Sequence, residues 1–447
     1  MSPPSNKPAN HSAMPHTPPS IAPTINQIRS HFPALGRGTV FLDNAGGSQL
    51  PASVIAAARE YMIHNYVQTG ADYAASQRAT ENVRAAHELV KHFVNGGGPE
   101  GAQHGGRVGQ GIGEVIFGAS STDLCHRLAN AYAEAKAAGA LGSRSEIIVG
   151  TYGHEANIGC WMKLAERGFT IRQWPCEIDA DGTPRPRIDT LKSLLNSSTL
   201  LVAFAQVSNI LGEIYDVGAI TKMCHAAGAK VMVDGVAYAP HHAPDVAAWG
   251  CDWYVYSTYK VFGPHMGAMF GRHDAFAPLT GPNHSFIARD YMPGKWEPGG
   301  SNHEGCAMVN ALWPYVAFMA GVQADAAPSH ATFRAAFAQM AQLEDGLMRI
   351  VLEFLNGRKD VRVIGPRTVD EKRVCIAAFV REGMSSASIA KAVNAKGFGV
   401  RYGNFYSRRL CEQLGIDPTD GVVRISMAHY NSGEEIESVL SALGEVM

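Results

Sequence analysis

The chain has 447 residues, 46% of them hydrophobic and 17% charged, with a formal net charge of −2. That size allows a large core and two or three folding units, while no run approaches the roughly 20 uninterrupted apolar residues of a spanning helix. The near-neutral balance excludes the basic surface that nucleic acid or anionic lipid would need, so a small-molecule ligand is the expectation. Eight cysteines are scattered without a CxxC pair, which suits reduced core thiols in a cytoplasmic protein better than a disulfide framework or a zinc site.

In chain order, residues 1–23 are rich in Pro, Ser, Asn and His without an apolar stretch, so they read as a disordered tail rather than a signal peptide. Residues 96–113, "GGGPEGAQHGGRVGQGIG", are too glycine-rich to pack and read as a mobile surface insertion. From about residue 110 to 270, short apolar runs alternate with amphipathic stretches: "EVIFG", a helix from Ser121, "EIIVG", a helix through Ile158 to Arg167, and "FTIRQW". The pattern goes on with "LLVAFAQ", a helix started by Asp216 and stopped by Gly228, "KVMVDG" and "WYVYST". Strands alternating with helices predict an α/β fold with a mostly parallel sheet covered on both faces, whose ligands bind at the carboxyl ends of the strands. After Pro328 comes a long helix to about Gly357, then short strands mixed with helices. The expected division is a large domain over 24–325 and a smaller α+β domain over 326–447.

Two strand ends carry the chemistry. "VMVDG" places Asp234 after one apolar run and "WYVYSTYK" places Lys260 after another. An acid that keeps a pyridine nitrogen protonated and a lysine that forms an imine are what pyridoxal 5'-phosphate (PLP) needs. Without such a partner Asp234 would be a costly buried charge. "ASSTDL" offers Ser120, Ser121 and Thr122 at a helix start, where free N–H groups favour a phosphate. "GHEANIGCW" supplies His154, which could stack on the ring and relay protons, and "VSNILG" supplies Asn209, whose amide could bond a ring hydroxyl or a substrate carboxylate. Arg424, inside the apolar strand of "VVRISMAHYNS", calls for a carboxylate, with Arg401 in "GVRYGN" as a second candidate; an internal salt bridge is the alternative for both. His241, His242 and His265 lack convincing metal-ligand spacing.

These segments in order, "FLDNAGGSQLP", "GASSTDL", "GHEANI", "VSNILGEI", "VDGVAYAPH", "STYKVFGPHMG", "WEPGGSNHE" and "VVRISMAHYNS", resemble the class V aminotransferase family of PLP enzymes, and within it the cysteine desulfurase-like group. The resemblance runs from about residue 28 to the end. It implies PLP fold-type I, a large domain with a seven-stranded sheet and a smaller C-terminal domain. It further implies Lys260 as the Schiff-base lysine, Asp234 on the ring nitrogen, His154 on the ring, and Ser121, Thr122 and Ser257 on the phosphate. Arg424 would take the substrate carboxylate, with Asn209 and the backbone of Asn44 and Ala45 nearby. A homodimer with the site at the subunit interface is implied too, the loop at Gly300 reaching the partner's phosphate.

The departures from the family are informative. Desulfurases carry a mobile catalytic cysteine soon after the position of Arg401, where this chain reads Asn404, Phe405 and Tyr406, with Cys411 too late and expected inside the next helix. Ala237 cannot bond the ring hydroxyl; Tyr259 replaces a histidine and could still donate to phosphate; Gly300 replaces a threonine and offers only its backbone N–H. The resulting expectation is a PLP enzyme that takes an amino acid into an external aldimine and removes its α-proton. β- or γ-elimination, as in C–S lyases, comes first. Alternatives are C–N or C–C bond formation in secondary metabolism, as in loline-type alkaloid enzymes, or epimerisation or transamination. Outside this class stand an NAD-dependent oxidoreductase, which the glycines at 109, 111 and 113 fit poorly because a strand follows them, and a non-catalytic scaffold.

Overall fold

The computed structural model describes residues 22–98, 103–104, 107–108, 111–180 and 182–447. The tail up to residue 21, and residues 99–102, 105–106 and 109–110 of the glycine-rich segment, lie outside the described residues. Within that segment, Gln103–His104 pairs antiparallel with Arg107–Val108.

Seven apolar runs form one sheet. Its strand order is Gly113–Gly118, Gly267–Arg272, Trp253–Ser257, Lys230–Asp234, Thr199–Ala205, Glu146–Gly150, Thr170–Trp174. Only Gly267–Arg272 runs against its neighbours; the other pairings are parallel. The mostly parallel α/β sheet expected from the alternating pattern is therefore what forms. Alternate residues serve opposite faces: Ile148, Val202, Phe204, Val231, Val233 and Tyr254 enter one core cluster, and Ile147, Val149, Leu201, Ala203, Met232 and Val255 the other. Burial on both faces is why these strands read as unbroken apolar runs.

The helices start where the sequence marks them. Ser120 caps Ser121–Ala137 by accepting from the Asp123 N–H, and Asp216 caps Val217–Ala226 by accepting from the Ala219 N–H. Gly228, at φ +77°, follows the second, a left-handed position that glycine adopts without strain. One expected helix differs: the stretch from Ile158 to Arg167 is a single α turn, Gly159–Met162, and a 3-10 turn, Lys163–Arg167, and another 3-10 turn, Glu155–Asn157, precedes it. Its His154 caps the start, Nδ1 accepting from the Ala156 N–H.

The long helix is His330–Asn356, buried at Phe333, Phe337, Met340, Glu344, Leu347, Val351 and Leu355, the three-and-four spacing of one face. Beyond it lies a four-stranded antiparallel sheet, Val361–Val363, Ile376–Arg381, Val422–Ser426 and Arg401–Gly403 in spatial order. Both ends of the chain build this smaller layer: Val40–Phe41 pairs with Phe398–Gly399, Asp43 bridges to Ser426, and Leu42 joins its core. That pairing carries Asp43 and Asn44 to the mouth of the cleft between the two layers.

Candidate active site

The parallel strands end at one edge, and the chemistry-bearing residues follow them. Asp234 is the last residue of its strand, in register with Val255 and Ala205 on either side. Lys260 closes the 3-10 turn Thr258–Lys260 directly after the next strand. Both are buried, at 5% and 8% exposure. Asp234 Oδ1 accepts from the Val236 N–H at 2.9 Å; no ion pair among the described residues answers either charge. Burial therefore pushes Asp234 up to about 6, against the opposing pulls of the Val236 N–H and Lys260. Burial, with the repulsion of Arg424, brings Lys260 down to about 8.

His154 lies in the same cleft. Burial first, then the charges of Lys260 and Arg424, lower it to about 4, so its ring is neutral at pH 7. With Nδ1 accepting from Ala156, the neutral ring carries its proton on Nε2. Ser121 and Ser257 face each other, Oγ to Oγ at 2.9 Å, at the N-terminus of Ser121–Ala137, with Thr122 exposed beside them. Gly267 presses on this corner, since a Cβ there would lie 2.3 Å from the Ser120 carbonyl carbon. Tyr259 stacks on His265 at 4.4 Å and lines a cavity of about 570 Å³ with Ser48, Gln49, Asn302 and Glu304.

Several expected ligand-binding residues turn out to be spoken for. The Asn44 and Ala45 N–H groups donate to Ser426 O and Oγ at 3.2 and 2.9 Å. The Asn44 amide bonds Phe41, Ser426, Asn431 and Tyr430. The pair thus joins the chain's first strand to the small sheet, and both N–H groups expected near the substrate already have acceptors. Asn209 donates to Phe405 O at 2.9 Å and accepts from Ser407 Oγ at 2.7 Å, leaving one amide hydrogen for any ligand. Gly300 is exposed and gives its N–H to Glu297 O at 3.1 Å, so the backbone donor expected there is already used. His241 pairs with Glu344, Nδ1 to Oε2 at 2.6 Å, and no group of three or more potential metal ligands forms among the described residues.

Arg424 meets an internal salt bridge. Its Nη2 donates to Asp43 Oδ1 at 2.7 Å and its Nη1 to Asn209 O at 3.2 Å, while the Phe405 ring covers its guanidinium face at 3.7 Å. Arg401 Nη1 donates to Asp43 Oδ2 at 3.3 Å. Asp43 and Phe405 were missed in the sequence; an acid directly after the apolar "VFL" was the available signal for the first.

The 404–407 turn lies where the resemblance expects a desulfurase's cysteine, and it holds Asn404, Phe405, Tyr406 and Ser407. Phe405 and Tyr406 both hold left-handed backbone, φ +50° and +59°, which costs non-glycine residues roughly 1–2 kcal/mol each. Asn209 ties the turn down, as do Glu155, whose N–H donates to Tyr406 O at 2.8 Å, and a bidentate Arg409–Glu155 ion pair. Tyr406, 70% exposed, holds its ring 5.2 Å from that of His154. Cys411 lies buried in the helix Arg408–Gln413, as expected, its thiol pushed up to about 11 by burial.

A buried, unpaired acid and amine at neighbouring strand ends, with a neutral histidine between layers and a serine pair at a helix start, define a PLP enzyme of fold-type I. The residues fit the cofactor, since a protonated ring nitrogen supplies the cation that Asp234 lacks. Comparison with known proteins agrees. Residues 40–439 match the family model for aminotransferase class-V, and the chain belongs to that family. It is 34% identical to the aminotransferase-like protein FGM3 of Gibberella zeae, over 95% of this chain and 98% of that one. It is 30% identical to the cysteine desulfurase-like protein ustD of Aspergillus flavus, over 98% and 94%. The apo cysteine desulfurase of Thermococcus onnurineus NA1 shares the fold with a TM-score of 0.77 at 22% identity, covering 94% of this chain and 97% of that one.

Proposed function

We propose that the protein eliminates a β- or γ-substituent from an amino acid, using PLP held by Lys260 and Asp234. The observation that carries this is the pair of buried charges without ionic partners: each is costly in the chain alone and each has its counterpart in the cofactor. When bound, the cofactor supplies an electron sink for the carbanion at the substrate's α-carbon.

The side chains supply the rest. Lys260 Nζ, brought down to about 8, is neutral often enough at working pH to act as the amine that would hold the cofactor and as the base that would take the substrate's α-proton. His154 would face the cofactor from the side of Tyr406, and the proton on its Nε2 is the one it could donate there. Ser121 and Ser257, with the first-turn N–H groups of the helix Ser121–Ala137, would hold the phosphate. Arg424 orients the substrate through its carboxylate.

The strained Phe405–Tyr406 turn supports elimination over persulfide transfer, because it carries no thiol, while Cys160 and Cys411 are buried with their thiols pushed up to about 12 and about 11. A second reading, capture of the eliminated intermediate by a nucleophile to form a C–N or C–C bond, draws support from the 570 Å³ cavity along Tyr259, which has room for another reactant. A homodimer is supported by exposed Met62, Ile63, Tyr66, Phe286 and Tyr291, apolar area that a second copy would cover. The test is incubation of the PLP-loaded protein with a panel of amino acids, following α-proton exchange and product mass. Exchange with release of the side-chain substituent is expected; wild-type protein that binds no PLP, or exchanges no α-proton, overturns the reading.

A further inference from the structure

Arg401 and Arg424 are register partners on adjacent antiparallel strands. Like charges directly opposite one another on a sheet face repel. Asp43 resolves the conflict by bonding both, Oδ1 to the buried arginine and Oδ2 to the outer one. It reaches them because its backbone bridges to Ser426. Gly46 leaves the room, since a Cβ at that position would lie 2.7 Å from Asp43 Oδ2.

The two arginines are not equivalent. The Arg424 side chain is 2% exposed, covered by Phe405, and its Nε is a buried donor with no partner. The Arg401 side chain is 59% exposed. A substrate carboxylate arriving at Arg424 thus finds Nη2 already carrying a carboxylate, beside an Nε that has none. Nε and Nη2 share one edge of the guanidinium, the edge that grips a carboxylate with two parallel bonds. Exchanging Asp43 for the substrate there satisfies both donors, where Asp43 satisfies one.

We propose that Asp43 is a specificity-determining residue, an internal carboxylate that holds Arg424 until a substrate carboxylate displaces it onto Arg401. This rests on the reading of Arg424 given above. Two guanidinium groups and one aspartate leave a single positive charge, which the incoming carboxylate neutralises. Arg401 acts through Asp43 as a positioning residue: it keeps the displaced carboxylate paired and does not touch the substrate. Ligands without a carboxylate leave the Asp43–Arg424 bond in place, so the exchange rewards amino acids over plain amines.

The experiment is calorimetric titration of the PLP-loaded protein with sodium propionate, a bare carboxylate probe. It compares wild type, Asp43→Asn, Arg401→Ala and the double variant, with thermal unfolding to establish that each is folded. Removing the competitor in Asp43→Asn should tighten propionate by about tenfold, and Arg401→Ala alone should weaken it by about the same factor. In the Asp43→Asn background the cost of Arg401→Ala should fall below about threefold, because nothing is left to be repositioned. Asp43→Glu, which keeps the charge, should restore the weak binding of the wild type and covers the case in which Asp43→Asn does not fold. Unchanged or weaker propionate binding in Asp43→Asn overturns the proposal, and so does an equal cost of Arg401→Ala in both backgrounds, the signature of direct contact. Propionate binding that survives Arg424→Ala overturns the reading of Arg424 itself, and the exchange with it.

Discussion

Two regions of the cleft hold charge in opposite ways. At the large-sheet edge, Asp234 and Lys260 are buried with no ionic partner, and burial drags each pKa toward its neutral form. At the small-sheet edge, Asp43 answers two arginines at once, and the Arg424 Nε has no partner among the described residues. An unanswered buried charge makes the ligand part of the fold's own stability, whereas an answered one makes ligand binding an exchange. On the proposed reading the cofactor completes its site, and a substrate carboxylate would have to compete for its own.

The largest effect that could break this contrast is at Lys260. Lys260→Ala should abolish the visible absorbance of the PLP-loaded protein and lower turnover by at least about 1,000-fold, the upper range for loss of a positioned base and nucleophile. A coloured, active variant would leave the amine without a role. Arg424→Ala comes next. It should cost on the order of 2–5 kcal/mol in kcat/KM for amino acids and far less for amines lacking a carboxylate, read from steady-state kinetics on both. Equal losses would mean that the arginine only holds the small sheet together.

The third test concerns stability without cofactor. Asp234 is raised from 3.8 to about 6 in the fold, so the folded state binds the proton more tightly than the unfolded one. Its contribution is fully present below pH 3.8 and is lost as pH rises through 6. Two pKa units correspond to about 3 kcal/mol. Asp234→Asn should thus raise the apo protein's unfolding free energy by up to that amount at pH 7, with little change near pH 4, while PLP binding is lost. An equal change at both pH values would show that the carboxylate is not strained. Lys260 gives the kinetic counterpart: the neutral amine is the nucleophile, so capture of added PLP by the apo protein should speed up with pH and level off above about 8.

The unanswered region was the legible one. A carboxylate after Val231, Met232 and Val233, and a lysine after Trp253 to Ser257, are conspicuous in a sequence because each breaks an apolar run, and the parallel order of their strands follows from the alternating pattern. The answered region was opaque. Asp43 and Arg424 are 381 positions apart in the chain, and their meeting depends on the first strand crossing to the small sheet, which no local periodicity announces. For the same reason the sequence does not show that Asn209, Asn44 and Ala45, offered as ligand-binding residues, also cross-link the layers. The stretch from Ile158 to Arg167 reads as one helix because its apolar spacing is helical, but it forms a single α turn and then a 3-10 turn that ends at Gly168 in the left-handed region.

The smallest effect probes the wall of the answered region. Phe405 covers the Arg424 guanidinium at 3.7 Å from an otherwise unfavourable left-handed backbone, an arrangement that turns backbone strain into a fixed orientation of the cation. Phe405→Leu keeps the Cβ, and so the strain, but removes the aromatic face; a desolvated cation–π contact is worth about 2 kcal/mol. KM for an amino acid should rise severalfold with kcat nearly unchanged, because the loss falls on carboxylate binding rather than on proton transfer. Tyr406→Phe, on the same turn but pointing to solvent over His154, should change neither constant if the phenol has no chemical part. A fall in kcat for Tyr406→Phe, with KM held, would move the phenol from the rim of the site into its chemistry.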